Sequence, residues 1–174
     1  YSYAQDSTLN ALGKSALTLK DKNIQGVGIN TYLDDHFKEI IINGALGIEL
    51  AGIAGTVDVN TIENEAESYI TNSNINISSE STSDEQSVDV YAQNNISSEV
   101  YGGSLGVSGN VAGVGAVSEV ATIKNNTYAG IKNNSVVNAK KSVNVQTSSQ
   151  ENYDSILVAG AGSGQIALAG AVNV

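Results

Sequence analysis

The sequence predicts an all-β fold, a parallel right-handed β-helix (β-solenoid), from three observations: a long internal repeat, a two-residue apolar alternation and a complete lack of proline. The repeat decides the class, because self-similarity at a fixed period implies stacked equivalent units. Ala54-Gly55-Thr56-Val57-Asp58-Val59 is answered by Val114-Gly115-Ala116-Val117-Ser118-Glu119, and again by Ala169-Gly170-Ala171-Val172-Asn173-Val174. Gly55, Gly115 and Gly170 mark the same place in three successive copies. Ile62, Asn64, Ala66, Ser68 and Ile70 map in order, at one fixed offset, onto Ile123, Asn125, Thr127, Ala129 and Ile131. Ser87-Val88-Asp89-Val90 maps by a shorter step onto Ser142-Val143-Asn144-Val145, so the loop before the later copy has lost residues. Leu17-Thr18-Leu19 reads as an earlier copy. The chain is thus a single solenoid segment over 1–174, with copies at approximately 1–45 (partial), 46–103, 104–159 and 160–174 (partial).

Taken in order, each element carries the signature of a strand. Leu46, Ile48 and Leu50 hold one parity and Ile53, Val57 and Val59 the other, which predicts a bulge around Ala51-Gly52. In the polar strand that follows, Ile62, Ala66 and Ile70 form the buried parity while Glu63, Glu65, Glu67 and Tyr69 face out. Its counterpart faces out with Lys124, Asn126, Tyr128 and Gly130. The inward pattern is kept and the outward one changes, as expected of a repeat retained for stacking rather than for a repeated binding site. Over 105–117, Leu105, Val107, Val111 and Val117 make an apolar parity, with small residues on the other. Asn94-Asn95, Asn125-Asn126 and Asn133-Asn134 mark corners, since asparagine tolerates the left-handed backbone and bonds its own turn. Each copy is roughly twice as long as a solenoid coil of about 20 to 30 residues, so it is expected to hold two or three coils. An antiparallel β-sandwich is the alternative that short strands with turn signals also fit; the fixed period favours the solenoid.

Composition narrows the function. The 174 residues include no Cys, Met, Pro or Trp and one Phe, so packing rests on Val, Ile, Leu and eight tyrosines. Proline removes a ladder donor and is excluded from interior strands, so its absence suits a chain that is ladder almost throughout. The formal net charge is -10 and no arginine is present, whereas a nucleic-acid partner needs clustered cations to displace counterions from phosphate. No nucleic acid is expected. No apolar run approaches the ~20 residues of a spanning helix, and no transmembrane segment is expected. Without cysteine there is neither a disulfide scaffold nor a thiolate metal site. The chain does not begin with methionine and residue 174 falls inside a repeat, so the expectation is an internal segment of a longer exoprotein. Stacked repeats need caps, so end-to-end self-association is also expected.

Asp34-Asp35-His36-Phe37-Lys38-Glu39 has no counterpart in the other copies and holds the only histidine and phenylalanine. It reads as a short helical turn or an excursion loop, and insertions in repeat proteins often lie on a binding face. Asp34, Asp35, His36 and Phe37 are therefore the candidate contact residues. The sequence offers no second histidine and no cysteine to join His36 in acid-base or metal chemistry, and a lone histidine in a charged loop reads as solvated. Glu63, Glu65 and Glu67, or Asp84, Glu85 and Asp89 near Ser79 to Ser83, offer carboxylates for calcium; neither set has the spacing of a calcium loop, and a solvated acidic face is the better reading. Parallel β-helices include polysaccharide lyases and hydrolases, but the paired carboxylates or the calcium with a strong cationic base that such chemistry uses are not recognisable here. No enzyme, no catalytic residue, no metal and no cofactor is expected.

The succession at Ala169 to Val174, Asn125 to Ile131 and Ala139 to Val145 resembles the repeats of large secreted adhesins of anaerobic Gram-negative bacteria, most closely the fusobacterial leukotoxin group within the filamentous-haemagglutinin-like exoproteins. The likeness covers most of the chain from about residue 44 onward. It implies export through an outer-membrane transporter, a secreted or cell-surface location, a rod-like β-helical passenger and attachment to or damage of a host cell surface. The function expected from it is structural and adhesive, with a directly cytotoxic segment or a carbohydrate-active β-helix enzyme as alternatives.

Overall fold

Unbroken alternation without proline lets strands run far beyond the usual length. The computed structural model describes residues 1–19, 22–78 and 83–174. Its strands are β1 (Ser2–Gln5), β2 (Thr8–Leu9), β3 (Leu17–Leu19), β4 (Lys22–Ile24), β5 (Gly26–Gly47), β6 (Ala51–Thr71), β7 (Asn74–Ile75), β8 (Ser87–Ser108), β9 (Ala112–Lys132), β10 (Val136–Val137), β11 (Ser142–Gly162) and β12 (Ile166–Asn173). They form sheets in the orders β1-β6-β9-β12, β10-β7-β2 and β11-β8-β5, beside a small antiparallel pair of β3 and β4. β1 runs parallel to β6, β12 to β9, and both β2 and β10 to β7. The sheet of β5 is parallel too. Gln25 O accepts from Ser87 N at one end of the β5–β8 pair and Gly47 O from Gly109 N at the other, so both strands advance together at one unchanging sequence offset, which an antiparallel pair cannot keep. The fold is therefore all-β and built of parallel sheets, and the antiparallel sandwich is set aside.

Neighbours within a sheet stand one sequence repeat apart. Asn74 registers with Val136 of the following copy, and Ile166 with Ala112 of the preceding one. Each full repeat gives one strand to each of the three sheets. The expectation of two or three coils per repeat is thus corrected to a single pass. The reason is strand length: β5, β6, β8, β9 and β11 are 21 or 22 residues each, so one pass consumes the whole repeat.

The chain divides into two compact units, the first made of residues 1–34, 64–95 and 125–150, the second of 35–63, 96–124 and 151–174. In unit 1, Ala4, Val27, Ile29, Ile70, Ile75, Val88 and Val90 form the core, with Ala129, Ile131 and Val137 packed against it. Its corners are asparagine-built. Asp6, Asn72, Asn76, Asn133 and Asn134 all take positive φ, which short polar side chains tolerate. Their amides also bond from layer to layer: Asn76 Nδ2 donates to Asn138 O at 2.9 Å, and Asn133 Nδ2 to Thr71 Oγ1 at 2.9 Å. Of the three asparagine pairs read as corners, only Asn133-Asn134 is one. Asn94-Asn95 and Asn125-Asn126 lie inside β8 and β9, where Asn94 is fully buried and its Nδ2 reaches Asn126 O at 3.4 Å.

Unit 2 has a different interior. Beside Ile96, Ser98, Val100, Val117 and Glu119, its buried positions are Gly52, Ala54, Gly102, Ser104, Gly106, Ser108, Gly113 and Gly115. A Cβ on Gly106 would overlap the carbonyl oxygen of Val114, and one on Gly115 that of Gly160, so backbone meets backbone where side chains normally intervene. Ile96, Val100 and Val117 are buried, but most of the large aliphatics take the outside. Ile42, Leu46, Ile48, Leu50, Ile53, Val57 and Val59 are all exposed, Leu46 at 84 %. No bulge lies at Ala51-Gly52; residues 48–50 form the bend between β5 and β6, and the aliphatics on both sides of it point outward. The apolar parity read over 105–117 is also divided by a bend, at 109–111: Leu105 is exposed and Val117 buried.

Candidate interaction surface

The candidate residues Asp34, Asp35, His36 and Phe37 lie within β5, so the predicted loop or helical turn is replaced by continuous strand. The strand continues through them, although 34–38 are all exposed, because their neighbours, Thr31-Tyr32-Leu33 and Ile40-Ile41-Ile42, have strong strand preference and no glycine or proline intervenes. Asp34, the last residue of unit 1's first stretch, and Asp35 and His36 of unit 2 each engage neighbouring groups. In unit 2, His36, Phe37 and Lys38 of β5 and Ser97 and Glu99 of β8 line a recess of about 200 Å³. Phe37 is 42 % exposed. Lys38 Nζ stands 3.5 Å from Glu99 Oε2 and 5.2 Å from the centre of the Tyr101 ring, a cation held by a carboxylate and a π face on the adjacent strand. The recess thus offers an aromatic edge, an imidazole and a compensated ion pair.

The acidic groups disperse. Glu63 pairs with Lys124 of β9, and Glu65 accepts from the Tyr1 hydroxyl, which that bond raises to a pKa of about 12. Glu85 pairs with Lys141, and Asp89, buried in unit 1, accepts from Ser87 Oγ at 3.2 Å and Asn144 Nδ2 at 2.9 Å. Asp84 is exposed, and residues 79–82 lie outside the described residues. Among the described residues no three His, Cys, Asp or Glu side chains converge on a point where a metal ion would sit.

Sequence reasoning missed how the tyrosines are used. In unit 1 Tyr3 and Tyr69 stack with centroids 5.4 Å apart and planes 11° from parallel, and Lys132 Nζ lies 4.0 Å over Tyr69. Tyr128 folds over Gly130, where a Cβ would strike its hydroxyl. Tyr32 and Tyr91 pair at 5.4 Å, and Lys22 Nζ lies 3.7 Å over Tyr91. The Tyr3 and Tyr69 rings cover each other's faces, which makes a ladder between layers rather than an open platform for a ligand. The signal was present, since Tyr3, Tyr69 and Gly130 occupy one repeat position.

Glu119 was missed as well. It is 0 % exposed in unit 2, its Oε2 accepts from the Ser155 hydroxyl and its Oε1 has no partner. The residue replaces Val59 and Val174 of the neighbouring copies in the sequence alignment, but the layer register sets it against Asn173.

What remains available to a macromolecule is the aliphatic exterior of unit 2. Leu105, Ile156 and Val158 continue it on β8 and β11, and Ile166, Leu168 and Val172 on β12, all exposed. Scattered apolar residues on a surface need no explanation, but these gather on the strands of one unit. Among the described residues no helix is long and apolar enough to cross a membrane. No protein-family model, curated protein or solved structure matches the chain.

Proposed function

We propose that this chain is a structural and adhesive segment of a secreted bacterial exoprotein, folded as a right-handed parallel β-solenoid and presenting its surface to host cells. The observation that carries the reading is the exposure of the aliphatic residues Ile42, Leu46, Ile48, Ile53, Val57 and Val59 in unit 2, where glycine takes much of the interior. A chain selected only for stability would bury these side chains, each worth about 1.5–3 kcal/mol on full burial. Leaving them outside keeps a flat apolar surface for a partner. The one-strand-per-repeat topology supports the solenoid, and the resemblance to leukotoxin-group repeats motivates the extracellular setting and passage through an outer-membrane transporter. Phe37 and His36 add a local recess to the contact surface.

The test is binding of the fluorescently labelled chain to epithelial cells and neutrophils. Saturable binding that is lost in the triple variant Ile42→Ser, Leu46→Ser, Ile48→Ser, with circular dichroism unchanged, is the expected result. Absence of saturable binding by the wild-type chain would sink the adhesive reading. Lysis by the chain alone would replace it with the cytotoxic one, and release of reducing ends from a polysaccharide would replace it with an enzyme.

A further inference from the structure

In unit 1 a polar recess of about 280 Å³ opens on the face of β8 opposite the core. Val88 and Val90 of β8 belong to the core; Ser87 and Asp89 alternate with them and line the recess, yet Asp89 is only 8 % exposed. Asn23 and Gln25, where β4 leads into β5, wall the recess on one side of β8, and Ser142 and Asn144 of β11 wall it on the other. The recess is thus assembled from three successive copies, with Asp89 on the middle strand.

A buried carboxylate is costly unless a cation pairs with it. Among the described residues the partners of Asp89 are neutral: Asn144 Nδ2 donates to Oδ1 at 2.9 Å and Ser87 Oγ to Oδ2 at 3.2 Å. The lysine that lines the recess, Lys141, is exposed and paired with Glu85, which lines it too. With that pair cancelled, the recess keeps the negative charge of Asp89. The donors around Asp89 are spent as well. A carboxylate and a carbonyl only accept, so the Asn144 amide must turn its nitrogen to Asp89, and the Gln25 amide must turn its nitrogen to Gly13 O at 2.6 Å. Asn144 Nδ2 also reaches Ser142 Oγ at 3.2 Å, and the Ser87 hydroxyl gives its one proton to Asp89 or to Gln25 O. What remains for a ligand is Asn144 Oδ1, Gln25 Oε1, the Ser87 lone pairs and the free lone pairs of Asp89, which are acceptors set around a negative charge. A ligand that fits brings donors and a positive charge. A dehydrated divalent metal ion needs more carboxylate than this, and among the described residues no three His, Cys, Asp or Glu side chains come together to supply it.

We infer that this recess binds a primary ammonium group, the end of an alkylamine or of a lysine side chain. The three N–H donors of an ammonium suit a carboxylate flanked by two amide oxygens, and its charge offsets that of Asp89. The recess takes one side chain or one small molecule rather than a surface. It lies in unit 1, and it does not depend on the adhesive reading of the aliphatic exterior of unit 2.

The experiment is titration of the full chain with n-butylammonium chloride, followed by calorimetry and by the side-chain amide signals of Asn144 and Gln25 in nitrogen–proton correlation spectra. Saturable binding that shifts those signals is expected. Tetramethylammonium carries the same charge without an N–H donor and should bind about tenfold more weakly or not at all. Asp89→Asn should weaken n-butylammonium binding by about tenfold or more. Because that change touches a buried group, Asn23→Lys is measured beside it. Asn23 is exposed, so the fold is kept, and a lysine ammonium at the recess should compete with the probe and weaken it by about tenfold. The lysine derivative Nα-acetyl-lysine amide separates the two sources. Binding like that of n-butylammonium admits a lysine side chain of a partner, whereas binding of n-butylammonium alone confines the recess to free amines, and either result supports an ammonium site. No saturable binding, equal affinity for tetramethylammonium, unchanged affinity in Asn23→Lys, or displacement of the probe by calcium chloride at matched ionic strength would each overturn the inference.

Discussion

Unit 1 and unit 2 use the same two-residue alternation but distribute side-chain volume over it differently. In unit 1 the inward parity carries Ile70, Val88 and Val90, and the outward one carries Tyr3 and Tyr69 stacked in a ladder. In unit 2 the inward parity carries Gly52, Gly106, Gly113 and Gly115 beside Ile96, Val100 and Val117, and most of the large aliphatics face out. Along β8 the inward residues pass through Val88, Val90, Ala92, Asn94, Ile96, Ser98, Val100, Gly102, Ser104, Gly106 and Ser108 without a change of parity. Apolar alternation therefore identifies a strand but does not by itself say which face is the interior. Side-chain volume decides that, since sheets that approach to backbone contact admit only glycine, alanine or serine between them.

The sharpest way to break the comparison is to put a large residue into the unit 2 interior. Gly106→Val places Cβ on the Val114 carbonyl oxygen, and neither is a flexible side chain that can yield. We expect a loss at or beyond the upper end of ordinary overpacking, about 3 kcal/mol or more, read as a large drop in urea midpoint or failure to fold. A midpoint near wild type would show that unit 2 is not packed on glycine.

In unit 1 the converse change, Ile70→Ala, removes a fully buried side chain from the aliphatic core. It is expected to cost about 2–5 kcal/mol by urea denaturation. The matching truncation outside unit 2, Leu46→Ala, should stay within about 0.5 kcal/mol, because the side chain is already in water. Similar costs for the two would erase the distinction between the units.

The contrast also explains what was legible beforehand. The equivalence of Ile62 and Ile123, with Glu63 and Lys124 outward, was readable because an aliphatic inward parity opposed a charged outward one; the Lys124–Glu63 ion pair now joins those strands. Over 46–59 and 105–117 both parities are uncharged or nearly so, and the face occupied by Leu105 and Val57 looked like the core. Polarity could not rank two apolar faces, and only the approach of the opposite sheet does. The single pass per repeat was hidden for a related reason: nothing in composition sets strand length when no proline interrupts it. The Asp34–Phe37 segment was set apart by its composition, yet backbone continuity keeps it in β5.

The smallest expected effect concerns the outward face of unit 1, where Tyr1 donates to Glu65. That hydrogen bond to a carboxylate, with desolvation and the negative charge of Glu65 adding to it, raises the phenol from 10.0 to about 12. Because the folded value lies above the unfolded one, whatever stability the contact gives is fully present below pH 10 and disappears as pH rises through about 12. The group is exposed and screened, so the consequence is local. In a spectrophotometric titration of tyrosinate, Tyr1→Phe should remove a step near pH 12, and Glu65→Gln should move that step back toward 10. A step that stays in place in Glu65→Gln would mean the carboxylate does not hold the hydroxyl, and that β1 is held on β6 by its backbone ladder and the Tyr3–Tyr69 stack without it.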